Sequence, residues 1–179
     1  NIFFHESFID ELSIAAKLDP LPLRLKLIQP WPTAVKLVEK VGQMSNWGKA
    51  APGRAQGFAF TLAFGGWVAK VIEISETPSG IKLEKIWVAA DVGTVLDPEN
   101  LKAQIVSGLV YGLSAGMIDE ITFADGVVQQ SNFHDFDAMR IWQCPEIAIE
   151  ILENSEEMGG AGVISTPGAA SALANAVFA

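Results

Sequence analysis

Apolar residues recur at helical spacing through the first quarter of the chain. Phe4, Phe8, Leu12 and Ala15 or Ala16 fall on one face of a helix predicted over residues 3–18, with Glu6, Asp10 and Glu11 on the other. Asp19-Pro20 restarts the chain, and residues 21–28 read as a second short helical stretch interrupted by Pro22. Residues 33–44 predict a third helix that buries Val35, Leu37, Val38 and Val41 and stops at Asn46-Trp47-Gly48. From Gly53 the period changes to two: Phe58, Phe60, Leu62 and Phe64 alternate with Ala59, Thr61 and Ala63, and Gly65-Gly66 ends the strand. Residues 67–74 and 81–90 flank Thr77-Pro78-Ser79-Gly80, a hairpin turn.

The stretch 86–116 organises the rest. Ile86-Trp87-Val88-Ala89-Ala90 suits a strand covered on both faces. Asp91-Val92-Gly93-Thr94 breaks it, and Asp97-Pro98 supplies a capping carboxylate with proline at the first helical position. In the helix that follows, Gln104, Gly108, Gly112 and Gly116 stand four residues apart, along one face. An interior glycine costs a helix roughly 1 kcal/mol, so three of them predict a close neighbour, either another segment of protein or a ligand. Close packing is the commoner cause of such a stripe.

Beyond that helix, Asp125-Gly126 joins a second hairpin over residues 121–129, and residues 146–152 alternate as a half-buried strand. Residues 158–162 predict a flexible glycine loop, and residues 168–179 an alanine-rich helix. The order of elements is that of an α+β fold, a mixed sheet with hairpins and packed helices. The expected division is a helical segment over 1–50, continuing from something upstream, and an α+β domain over 51–179.

Half of the 179 residues are apolar, enough for a sizeable core, and the formal charge of −9 argues against nucleic acid or an anionic membrane as main partner. The single cysteine, Cys144, excludes an internal disulfide or an iron–sulfur site within the chain. No signal peptide opens the sequence, and its polar residues make a membrane span in the apolar stretch 159–179 unexpected. The compartment stays open between cytoplasm and periplasm. His5 and His134 have no second histidine or cysteine at metal-ligand spacing, so no metal ligand is assigned. Gly159-Gly160-Ala161-Gly162 precedes a helix and offers backbone N–H groups to an anion. Asn132-Phe133-His134-Asp135 reads as a hydrogen-bonded turn.

Taken in order, these segments resemble the molybdenum-binding large subunit of the xanthine oxidase and aldehyde oxidoreductase family, nearest its isoquinoline 1-oxidoreductase and bacterial aldehyde dehydrogenase branch. The residues that carry the resemblance are Glu6-Ser7-Phe8-Ile9-Asp10-Glu11-Leu12 with Asp19-Pro20 and Arg24, Gly65 to Glu73, Asp91-Val92-Gly93-Thr94 through Gln104, Gln130 to Asp135, Pro145-Glu146-Ile147, and Gly159 through Ala176. The resemblance implies the C-terminal part of an oxidoreductase that hydroxylates aldehydes or N-heterocycles with water-derived oxygen. It implies molybdopterin as cofactor, in the cytosine dinucleotide form, approached by Gln104, Gly108, Gly160, Ala161 and Gly162, and it assigns the bare glycine face of the helix to the pterin lying against it. The implied partners are the upstream part of the same large subunit and an iron–sulfur small subunit. It also exposes a departure: Val163 stands where the family carries its glutamate base, and Val106 where glutamate is common. Glu156 and Glu157 do not match the catalytic position. No catalytic residue is therefore assigned, and the chain alone is expected to be inactive. A non-catalytic homologue serving as an assembly domain is the alternative. The isolated chain is expected to self-associate through its uncovered apolar surface.

Overall fold

The structure is a computed structural model that describes residues 1–179. Three helices lead, α1 (Ile2–Ala15), α2 (Pro20–Leu27) and α3 (Pro32–Ser45). A three-stranded meander follows, β1 (Arg54–Ala63), β2 (Gly66–Thr77) and β3 (Gly80–Asp91). Then come α4 (Pro98–Met117), a small hairpin of β4 (Phe123–Ala124) and β5 (Val127–Val128), β6 (Glu146–Leu152) and α5 (Ala169–Phe178).

The main sheet has the order β1-β2-β3-β6. The meander is antiparallel, and β6 adds to β3 in parallel, with Val88 opposite Ile149. A parallel pair needs a long crossover, and the segment holding α4 supplies it. One face of the sheet presents Ile72, Ile86 and Val88 to Ile105, Leu109 and Leu113 of α4 and to Ala169, Ala172 and Ala176 of α5. The other presents Phe58, Ala69, Val71 and Ala89 to Leu37, Val38 and Val41 of α3. Both faces are thus covered, which is why residues 86–90 read as a continuous apolar run. The α+β expectation holds in full.

Two local expectations differ. Pro22 does not interrupt α2, because with Asp19 as N-cap and Pro20 leading the helix it still lies in the first turn, where no intrahelical N–H is required. Helix α1 turns the opposite way from its apolar pattern. Glu6 and Asp10 are buried, whereas Phe4 is 75% and Phe8 58% exposed. The reason is Arg24 of α2, whose guanidinium pairs with Glu6 Oε2 at 3.1 Å and Asp10 Oδ1 at 2.5 Å. Glu6 Oε2 also accepts from the Phe60 N–H of β1 at 2.8 Å. Buried charges persist only when paired and hydrogen-bonded in this way. The ion cluster fixes α1 to the fold and leaves its aromatic face outside. No helix is long and apolar enough to cross a membrane.

Candidate functional site

The turn between β3 and α4 meets the loop after β6 at a small cleft of about 240 Å³. Asp97 caps α4 by accepting from the N–H groups of Glu99 and Asn100, and Pro98 leads the helix. The capped first turns direct Asn100 and Gln104 into the cleft, where they face Met158, Gly159 and Ala161. Gln104 is exposed, and its amide is held by no hydrogen bond within the chain.

The fully buried carboxylate of Asp91 ties the two sides together. Its Oδ1 accepts from Gly93 N at 3.0 Å and Ser155 N at 3.2 Å, and its Oδ2 from Asn154 N at 2.7 Å. One side chain therefore sets both the turn that starts α4 and the strand exit that leads to the glycine loop. Backbone contacts complete the junction. Gly159 N–H donates to Val92 O at 2.9 Å and Gly160 N–H to Phe64 O at 2.8 Å. A Cβ on Gly159 would lie 2.5 Å from the Gly65 carbonyl carbon, so this crossing admits only glycine.

These contacts revise the picture of a flexible loop ready to cradle an anion. The N–H groups of Gly159 and Gly160 are spent on protein carbonyls, and the loop is pinned at both. The N–H groups of Ala161, Gly162 and Val163 donate to no acceptor in the chain, and Gly162 has open space around it.

The glycine stripe of α4 is likewise not held open. A Cβ on Gly108 would meet Ser165 Oγ at 2.9 Å and Thr166 Oγ1 at 3.0 Å, one on Gly112 would run into Thr166 O, and one on Gly116 would reach Ala170 Cβ at 3.0 Å. Segment 165–170 fills the groove, and Ser165 Oγ donates to Ile105 O. Close helix packing explains the three glycines, and Gly108 lies beneath protein rather than in the cleft. The structure thus brings Gln104 together with Gly159 and Ala161, places Gly160 and Gly162 on the exposed side of the same loop, and sets Gly108 apart. Val163 is half exposed, and Val106 is half-buried on α4.

Sequence reasoning misses two residues. Asp91 reads only as a strand terminator. Lys70 does not stand out, yet it is wholly buried on the α4 and α5 side of β2, flanked in register by Ala59 and Val88. Burial lowers its pKa to about 7, against a smaller upward pull from Glu6. The signal that could have found it is a cation inside the apolar run 67–72. Elsewhere, Asp135 accepts from Ser131 and Asn132 N–H, which makes the Asn132–Asp135 cluster a structural turn and holds its carboxyl below the usual range. His5 contacts Glu6, and nowhere do three His, Cys, Asp or Glu side chains converge as a metal site.

Comparison with known proteins gives the family of the chain. The family model described as a molybdopterin cofactor-binding domain matches residues 30–145. The beta-subunit of the isoquinoline 1-oxidoreductase of Brevundimonas diminuta is 33% identical over 164 residues, covering 88% of this chain and 21% of that protein. A subunit of the nicotinate dehydrogenase of Pseudomonas putida is 27% identical, over 99% of this chain and 17% of that protein. The chain thus spans about a fifth of the length of these relatives. The quinoline 2-oxidoreductase of Pseudomonas putida 86 superposes with a TM-score of 0.55 at 22% identity, over 63% of this chain and 15% of that one, and so shares the fold.

Proposed function

Since the chain belongs to the molybdopterin cofactor-binding domain family of the molybdenum hydroxylases, we propose that the cleft at the head of α4 is where it meets that cofactor. The observation that carries the reading is the convergence of Gln104 with Gly159 and Ala161, far apart in sequence, on one cleft. The donor set suits a ligand rich in ring nitrogens and oxygens. Gln104 offers an amide that can both donate and accept, and Ala161 and Gly162 offer backbone N–H groups with no partner in the chain. Gly160 and Gly162 keep that side of the loop free of bulk. Gly108 serves by admitting Ser165 and Thr166 beneath the loop.

When bound, the cofactor would supply the redox chemistry by which an aldehyde or N-heterocycle is hydroxylated with oxygen from water. This chain's part is to bind and orient it. Gln104 would fix the pterin edge, Asp91 would hold the two walls at their spacing, and the apolar side chains of Val92, Leu96 and Met158 would shield the cleft from water. The upstream part of a large subunit and an iron–sulfur subunit would complete the enzyme, and the cytosine dinucleotide is the expected form of the pterin.

No residue here takes the part of a base. Val163 occupies the place that the family resemblance gives to glutamate, and an aliphatic side chain accepts no proton; a positioned base is typically worth ~10²–10⁴-fold in rate. That favours a second reading, in which the domain keeps the cofactor or the scaffold without catalysis. Metal and pterin analysis of the full-length protein purified with its natural subunits tests the first reading. About one molybdenum per chain is expected, falling in Gln104→Ala; a metal-free protein would reject it. Val163→Glu tests the second: aldehyde-dependent dye reduction appearing in that variant alone would show a cofactor lacking only its base.

A further inference from the structure

Lys70 projects from the middle of β2 into the layer between the sheet and helices α4 and α5, and no part of it is exposed. It forms no ion pair. Its Nζ donates to Ser165 O at 2.5 Å, the only hydrogen bond it makes. Gly168, the N-cap residue of α5, packs beside it, for a Cβ there would lie 3.1 Å from Nζ and 2.8 Å from Thr61 Oγ1. The Thr61 hydroxyl is buried and makes no hydrogen bond. The positive end of the α5 dipole therefore points toward the amine, which works against a cation there. Glu6 of α1, engaged with Arg24, is the ionisable group that acts on Lys70 through space; β1 and β3 bring Ala59 and Val88, and α5 brings no charged side chain.

Segment 163–168 is held from two sides, by Ser165 Oγ on Ile105 O of α4 and by Lys70 on Ser165 O. This segment directly continues the glycine loop of the cleft. We propose that Lys70 is a positioning residue, a protonation-controlled latch that seats segment 163–168 against α4 as a neutral amine and lets it open when the amine takes up a proton and must be solvated. While the segment is closed the ammonium form has no exposed surface and no ion-pair partner, so the closed state holds it less well than the neutral amine. The latch is a property of the chain itself; its bearing on the cofactor rests on the reading given above.

Linkage fixes the sign. With an ordinary pKa of 10.5 when open and about 7 when closed, opening becomes more frequent as pH falls from about 10 to about 7 and changes no further below that. Hydrogen-exchange mass spectrometry on peptides spanning 159–168, corrected for base-catalysed exchange, reads the opening in the chain without any cofactor. Between pH 9 and pH 7 the opening ratio is expected to rise roughly tenfold to a hundredfold in the native chain. In Lys70→Met, which keeps the length of the side chain and removes the charge, the ratio is expected to be flat. An equal slope in both proteins, or none in the native one, would overturn the proposal. The Lys70 Nζ titration followed by NMR is the second measurement: a value near 7 supports the latch, and one near 10 defeats it. Because neither readout involves molybdenum, the latch and the cofactor assignment fail separately.

Discussion

Asp91 Oδ2 accepts a hydrogen bond from the Asn154 N–H at 2.7 Å, joining the last residue of β3 to the first turn beyond β6. The parallel strands end side by side, Asp91 opposite Leu152, so one carboxylate reaches both exits at once. Asp91→Ala would strand the N–H groups of Gly93, Asn154 and Ser155, at about 1–3 kcal/mol for a buried group left unsatisfied. We expect a loss of that size or more in urea unfolding. Asp91→Asn, which keeps one acceptor oxygen, should lose less. Equal losses in the two variants would mean that packing, and not the shared acceptor, holds the exits together.

Two of the three glycines of α4 make a graded prediction. Gly112→Ala drives a methyl group into the Thr166 carbonyl, whereas Gly116→Ala makes the milder approach to Ala170, 3.0 Å from its Cβ and 3.3 Å from its Cα. Overpacking costs typically about 1–3 kcal/mol, and alanine returns up to ~1 kcal/mol of helix propensity. Gly112→Ala should therefore destabilise clearly, and Gly116→Ala should come close to neutral. Thermal melts of the two variants check the order. A stabilised Gly112→Ala would show that segment 165–170 can move aside at no cost.

Much of this arrangement is legible in the sequence, for reasons that differ by element. Strands β1 and β6 announce themselves by period two, β3 by its continuous apolar run, and the start of α4 by Asp97-Pro98, since caps and turns depend on neighbours in sequence. The cleft is half legible: Gln104 and the glycine loop stand out, but that Gly159 and Gly160 spend their N–H groups on Val92 and Phe64 is a long-range fact. The orientation of α1 is not legible, because periodicity ranks faces by hydrophobicity alone. Arg24 reverses that ranking by giving Glu6 and Asp10 a buried partner. The glycine stripe signals a close neighbour correctly and leaves its identity open, which only the path of residues 165–170 decides.

Lys70 carries a stability prediction beyond its local role. Between about pH 7 and 10.5 the unfolded chain binds the proton that the folded chain sheds, so global stability should climb with pH across that window and be level below it. Lys70→Met should remove the climb. At pH 7 it should also stabilise the fold, because burying Lys70 requires the proton held by the unfolded chain to be given up, and methionine has none to give. Urea unfolding at pH 6, 7, 8 and 9 provides the test. A destabilised variant at pH 7 would show that the bond to Ser165 O outweighs the cost of burying the amine.

The aromatic side of α1 makes the last prediction. Phe4 is 75% exposed and Phe8 58%, and Phe178 of α5 is exposed as well. Phe3 lines two neighbouring clefts, one shared with Phe4 and Phe8 and the other with Val177 and Phe178. Contiguous apolar surface of this kind drives association when nothing covers it, and the acidic side of α1 cannot rotate outward to relieve it because Glu6 and Asp10 are locked on Arg24. The chain by itself should therefore self-associate at micromolar concentration. Replacing Phe4 and Phe8 by serine should reduce the association without unfolding the chain, since neither side chain belongs to either core cluster. Light scattering with circular dichroism distinguishes the outcomes: a native chain that is monomeric, or a double variant that associates as strongly, would place the adhesive surface elsewhere.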